Sequence, residues 1–94
     1  MKPEYESLLR HTLGAERESG VKSRHDGFRN YYVCGDSWNK NFVKFQQMEQ
    51  IGLVEMYGAG EERLVCFRAT LSGARAIGLG KAALIRAGLL EAAK

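Results

Sequence analysis

Leu53-Val54-Glu55-Met56-Tyr57-Gly58-Ala59-Gly60-Glu61-Glu62-Arg63-Leu64-Val65-Cys66-Phe67-Arg68-Ala69-Thr70-Leu71-Ser72-Gly73-Ala74-Arg75-Ala76-Ile77 is the stretch that decides the fold. Two apolar runs, 53–57 and 63–68, flank a loose glycine-rich loop at 58–62, the pattern of a β-hairpin. Thr70 stands where a helix starts, and its hydroxyl can accept a backbone N–H from the first turn. Gly73 lies in that turn; lacking a Cβ, it lets the helix approach a neighbour closely. The helix is expected over 71–79, with a break at Gly78 and Gly80.

Working upstream, Asp36 or Ser37 can cap a helix that runs to about Ile51 and closes at Gly52. Trp38, Phe42, Phe45 and then Met48 or Glu49 recur at helical spacing and define its buried stripe. The opposite surface reads Asn39, Lys40, Asn41, Lys44, Gln47 and Gln50. Residues 28–34 form a strand candidate ended by Gly35. Residues 15–27 are polar, charged and without periodicity, so a long, mobile loop is expected there. Pro3 suits the first turn of a helix. Tyr5, Leu8, Leu9 and Thr12 follow at helical spacing, Gly14 is the stop, and Glu4 and Glu6 sit favourably at the positive end of the helix dipole. Downstream, 81–93 reads as a C-terminal helix with Ala82, Ile85 and Leu89 on one face and Leu84 and Leu90 offset. The order is α-β-α-β-β-α, an α+β domain of three or four helices on a small antiparallel sheet.

The 94 residues make one domain, 1–94, and a hydrophobic content of 45% is that of a folded globule. The net charge of +3 is unevenly placed: Lys22, Arg24 and Arg29 stand against Asp26 in 21–30, while Glu55, Glu61 and Glu62 outnumber Arg63 and Arg68 in the hairpin. This balance permits nucleic-acid binding without demanding it. Cys34 and Cys66 each lie in an apolar strand candidate and read as buried, reduced thiols. Met1-Lys2-Pro3-Glu4 leads into charged residues, and no run approaches the roughly 20 apolar residues that span a bilayer. The expected compartment is the cytoplasm.

Helix, Gly52-Leu53-Val54, two-stranded wing and Phe67-x-x-Thr70-x-x-Gly73 leading into a helix is an order that resembles winged-helix modules. That resemblance implies a DNA-contacting helix and a wing. Two departures stand out. A full winged helix places two helices between its first strand and its wing, whereas 36–52 holds only one, since two helices and a turn need about twenty residues or more. The wing tip carries Glu61 and Glu62 where phosphate contact asks for Lys or Arg. Leu9-Arg10-His11-Thr12-Leu13-Gly14, Phe28-Arg29-Asn30-Tyr31-Tyr32-Val33-Cys34-Gly35, Gly52-Leu53-Val54 and the Thr70-x-x-Gly73 block also resemble a set of small uncharacterised proteins of tailed phages and prophages. The similarity runs over about residues 8–78 in four short blocks. It implies a phage or prophage origin, with action in the host cytoplasm, and brings no assigned activity.

His11, His25-Asp26, Cys34, Asp36 and Cys66 lack the paired spacing of a zinc site. Gly58-Ala59-Gly60 lacks the Lys-Ser/Thr ending of a phosphate loop and precedes a strand. The expectation is therefore a non-enzymatic protein without metal or cofactor. Asn39, Lys40, Lys44 and Gln47 are residue types that read base edges and phosphates, although a solvated helix face has the same composition. Lys22, Arg24 and Arg29 interleave with His25, Tyr31 and Tyr32, a mixture that holds phosphates and stacks bases, or else divides between surface and core. Two readings follow: nucleic-acid binding through helix 36–51 and the basic loop, or a protein-interaction module that binds or inhibits a host or phage protein, its acidic tip facing a basic partner. Leu84, Ile85, Leu89 and Leu90 exceed one narrow apolar stripe, which points to self-association through the C-terminal helix.

Overall fold

The computed structural model describes residues 1–15, 26–34, 40–57 and 65–91. Its elements are α1 (Pro3–Leu13), β1 (Tyr32–Val33), α2 (Lys40–Gln50), β2 (Val54–Tyr57), β3 (Cys66–Ala69), α3 (Leu71–Ala76) and α4 (Lys81–Arg86). The fold is α+β, with these four helices and one three-stranded antiparallel sheet in the order β1-β3-β2. Tyr32 pairs with Phe67 and Val33 with Cys66, while Val54, Glu55, Met56 and Tyr57 pair with Ala69, Arg68, Phe67 and Cys66. The hairpin is thus in register, and β3 is the central strand. The hairpin loop at 58–62, with Glu61 and Glu62, lies outside the described residues, as do Trp38 and the Asp36/Ser37 cap.

Local chemistry explains the element ends. Gly14 adopts a left-handed φ of 69° and ends α1. Thr70 is extended and accepts from the Gly73 N–H at 3.1 Å, capping α3 as its position implies. The same hydroxyl donates to the Gly52 carbonyl at 2.5 Å, tying α3 to the turn after α2. A Cβ built on Gly73 would stand 2.0 Å from the Leu53 carbonyl oxygen. Glycine is required there by close approach.

The core is one cluster. Leu9 and Leu13 from α1, Phe45 and Met48 from α2, Val54 from β2, and Phe67 and Ala69 from β3 are all buried, joined by Ala74, Ile77, Leu79, Ala83 and Leu84. Phe45 stacks on Phe67 with centroids 4.9 Å apart, and Tyr32 tilts against Phe45 at 4.7 Å. The α2 stripe falls on Phe45 and Met48; Phe42 is half-buried and Glu49 is exposed, its carboxylate accepting from the Met56 N–H.

Three expectations are corrected. The strand expected over 28–34 contracts to Tyr32–Val33. Asn30 accounts for this: its side-chain amide donates to the Ala69 carbonyl at 3.1 Å and accepts from the Ala69 N–H at 2.8 Å, occupying the groups a longer ladder would use. Before it, Gly27 N–H and Tyr31 N–H donate to the carbonyls of Leu13 and Thr12, so the segment docks on the end of α1 instead. The helix expected over 71–79 ends at Ala76, and the one expected over 81–93 ends at Arg86, each followed by a left-handed glycine, Gly78 or Gly88. On α4 the buried residues are Ala83 and Leu84 rather than Ala82, while Leu89 and Leu90 pack partly against this chain's own core.

Candidate nucleic-acid interface

Of the seven residues singled out in the sequence, Asn39, Lys22 and Arg24 lie outside the described residues, as does the side chain of Lys40, whose backbone opens α2. Lys44, Gln47 and Arg29 are described. Lys40, Lys44 and Gln47 fall at i, i+4 and i+7, so they share one flank of α2. That flank lies beside the first half of α1: Tyr5 OH donates to Gln47 Oε1 at 2.6 Å, and Lys44 Nζ is 3.4 Å from Glu4 Oε2. Both Lys44 and Glu4 keep about a third or more of their side chains in solvent, at 34% and 45%. The pair is a surface ion pair, a class that contributes about 0–1 kcal/mol.

Arg29 reaches the same side from the loop. Its Nε and Nη2 donate to the His11 carbonyl at 2.9 and 2.5 Å, adding to the Gly14 N–H that the same carbonyl accepts at 3.3 Å at the end of α1. The His11 ring meets Tyr32 edge-on at 5.3 Å, and Asn41 Nδ2 donates to Tyr32 OH at 2.9 Å. Arg29, His11, Tyr32 and Asn41 therefore form a continuous path from the loop to the first turn of α2. Partial burial lowers the His11 pKa from its ordinary value, and the nearby Arg29 guanidinium pushes it the same way. Phe28, beside Arg29, is 63% exposed with the guanidinium 5.5 Å from its ring centre.

Sequence reasoning missed Arg10. It is buried on α1, paired with Glu6 at 2.9 Å, and donates to the carbonyls of Ile77 and Ala15. An arginine one turn after a glutamate looks like any exposed helix pair in sequence; its role as a strut between α1 and the end of α3 becomes visible only when the two helices meet.

Cys34 and Cys66 are both free thiols; Cys34 is buried, and burial, with Cys66 adding to it, pushes its pKa up to about 11. Among the described residues no group of three His, Cys, Asp or Glu side chains comes together, and no helix is long and apolar enough to cross a membrane. A cleft of about 540 Å³ between the start of α1 and the end of α2 is lined by Met1, Lys2, Tyr5, Ile51 and Leu53. Tyr5 spends its hydroxyl on Gln47 and carries Lys2 over its ring at 5.4 Å. No protein-family model matches the chain, and no curated protein or solved structure matches it either.

Proposed function

We propose that this chain is a winged-helix-like, non-enzymatic binding module of phage or prophage type that holds nucleic acid along α2 and the 28–31 segment, in the cytoplasm of its host. The observation that carries the reading is the path Arg29–His11–Tyr32–Asn41, which draws a basic loop residue to the side of the molecule where Lys44 and Gln47 lie. A phosphate can take the place of Glu4 beside Lys44, because a half-exposed ion pair holds its partner weakly and a charge-assisted bond to phosphate is at least as strong. The winged layout has support in the connectivity: β1 pairs with β3, β2–β3 is a hairpin, and α3 follows at once. Among the described residues α2 is the one helix between β1 and β2, and it finds its companion in α1, through Tyr5–Gln47 and Glu4–Lys44.

The test is a salt titration of a labelled duplex by fluorescence anisotropy. Each lost phosphate contact lowers the slope of log K against log salt by about one. The double variant Lys40→Gln, Lys44→Gln is therefore expected to bind more weakly with a slope about two units shallower; an unchanged slope would remove α2 from the interface. A second reading, docking onto a host or phage protein, is favoured by the exposed apolar side chains of Phe28, Val33, Val43 and Ile51. Its mark would be no duplex or single-strand binding at any salt.

A further inference from the structure

The strand order β1-β3-β2 leaves one side of β2 as an edge of the sheet. Antiparallel ladders bond every second residue of a strand to its neighbour and turn the groups between them the other way. The Thr70 N–H donates to the Leu53 carbonyl at 3.1 Å, and Leu53 stands one place before Val54 in the β2–β3 register. Glu55 and Tyr57 are therefore the residues bonded to β3, and the N–H and C=O of Val54 and Met56 face the edge. Such a row is a template on which a further strand can pair. Glu49, in the last turn of α2, reaches it: its Oε2 accepts from the outward Met56 N–H at 3.1 Å. Among the described residues this is the one bond made to that row.

The occupant that fits this edge is β2 of a second copy. Val54 and Met56 share the core face with Ala69 and Phe67, yet Met56 is 41% exposed, and Ile51 just before the strand is 63% exposed. A two-fold axis at Glu55 sets Val54 of one strand opposite Met56 of the other, and each such pair exchanges both of its N–H···O bonds. The apolar row Phe67–Met56 then runs on into Val54 and Ala69 of the second copy. On the outer face the two Glu55 carboxylates meet, each held by its own Arg68, whose guanidinium also lies over the Tyr57 ring. The obstacle is Glu49, which must leave the Met56 N–H in both copies before either strand can offer it.

We propose that Glu49 guards this edge: its contact with Met56 keeps two copies of the chain apart, and its withdrawal lets their β2 strands pair into one continuous sheet. The inference goes beyond the nucleic-acid reading and does not depend on it, since Glu49 lies about 140° around α2 from Lys44. The test is sedimentation velocity on the full chain, over a dilution series reaching millimolar protein. Two guards leave for each dimer formed, and a bond to a charged acceptor is worth about tenfold, so Glu49→Ala is expected to tighten association at least about tenfold over the parent. Glu49→Gln keeps an acceptor in place and is expected to sediment close to the parent. Met56→Pro removes the guarded N–H at an edge position where proline is tolerated. Added to Glu49→Ala, it is expected to restore the parent's behaviour. Association of the alanine variant no tighter than the parent's, or association that survives the proline, would overturn the inference. If the proline protein melts early, hydrogen exchange of Glu49→Ala decides instead: the Val54 and Met56 amides are expected to gain protection as concentration rises. Protection there that does not change with concentration would overturn the inference equally.

Discussion

Gly73 shows how much a single atom decides. Its absent Cβ would fall 2.0 Å from a backbone oxygen, that of Leu53, which has no freedom to swing aside. Gly73→Ala is expected to cost about 2–3 kcal/mol, the range of overpacked sites, and to lower the melting temperature by about 10–20 °C. Gly78 is the control: it has φ 86° but nothing within 4 Å of its missing Cβ, so Gly78→Ala carries only the left-handed penalty of about 1 kcal/mol. Equal losses in the two variants would show that close packing of α3 on Leu53 is not what Gly73 provides. His11 gives a pH dependence. Burial and Arg29 hold its pKa below the ordinary 6.5, so the folded state prefers the neutral ring. The unfolded chain then takes up the proton first, and stability present above about pH 6.5 is lost as pH falls through the lower folded value. The melting temperature should fall between pH 7 and pH 5, and the fall should be smaller in His11→Gln, which keeps the backbone carbonyl that Arg29 uses. An identical fall in both proteins would place the titration elsewhere.

Among the elements, α2 carries the sheet side of the core through two side chains. Phe45 stacks on Phe67 and touches Tyr32, whereas Phe42 meets Phe67 edge-on at 5.9 Å and keeps some solvent contact. Phe45→Ala is expected to cost about 3–5 kcal/mol and Phe42→Ala clearly less, measured by urea unfolding. The reverse order would show the helix rotated from its place. The Phe42, Phe45, Met48 spacing, the Thr70 cap, the Gly14 stop and the hairpin were legible in the sequence because each is a local rule acting within a few residues. The length of β1 was not, since Asn30 competes for Ala69 across 39 positions, a pairing that no local propensity encodes. The short α4 was not legible either. In sequence Leu84, Ile85, Leu89 and Leu90 make one longer apolar face, and only the fold turns Leu89 and Leu90 back onto the core past the left-handed Gly88.

The whole molecule gathers groups that composition scatters. Residue types alone pointed to Lys44, Gln47 and Arg29, and they could not tell that Lys44 and Gln47 lean on α1 while Arg29 caps its end. Nor could the sequence foresee an outer sheet face with Tyr31, Tyr57 and Arg68 together, because the register of β1 on β3 is what aligns them. The central claim is that the flank of α2, together with Arg29 of the 28–31 segment, meets phosphates. Three cations, Lys40, Lys44 and Arg29, give a duplex slope of about −2.7, or about a 40-fold loss of affinity between roughly 50 and 200 mM salt. The measurement that tests this most directly is the anisotropy of a labelled random duplex titrated with the protein at those two salt concentrations. Micromolar binding at the lower salt that weakens by about that factor is the predicted result. Binding absent at the lower salt, or equal at both, would contradict it.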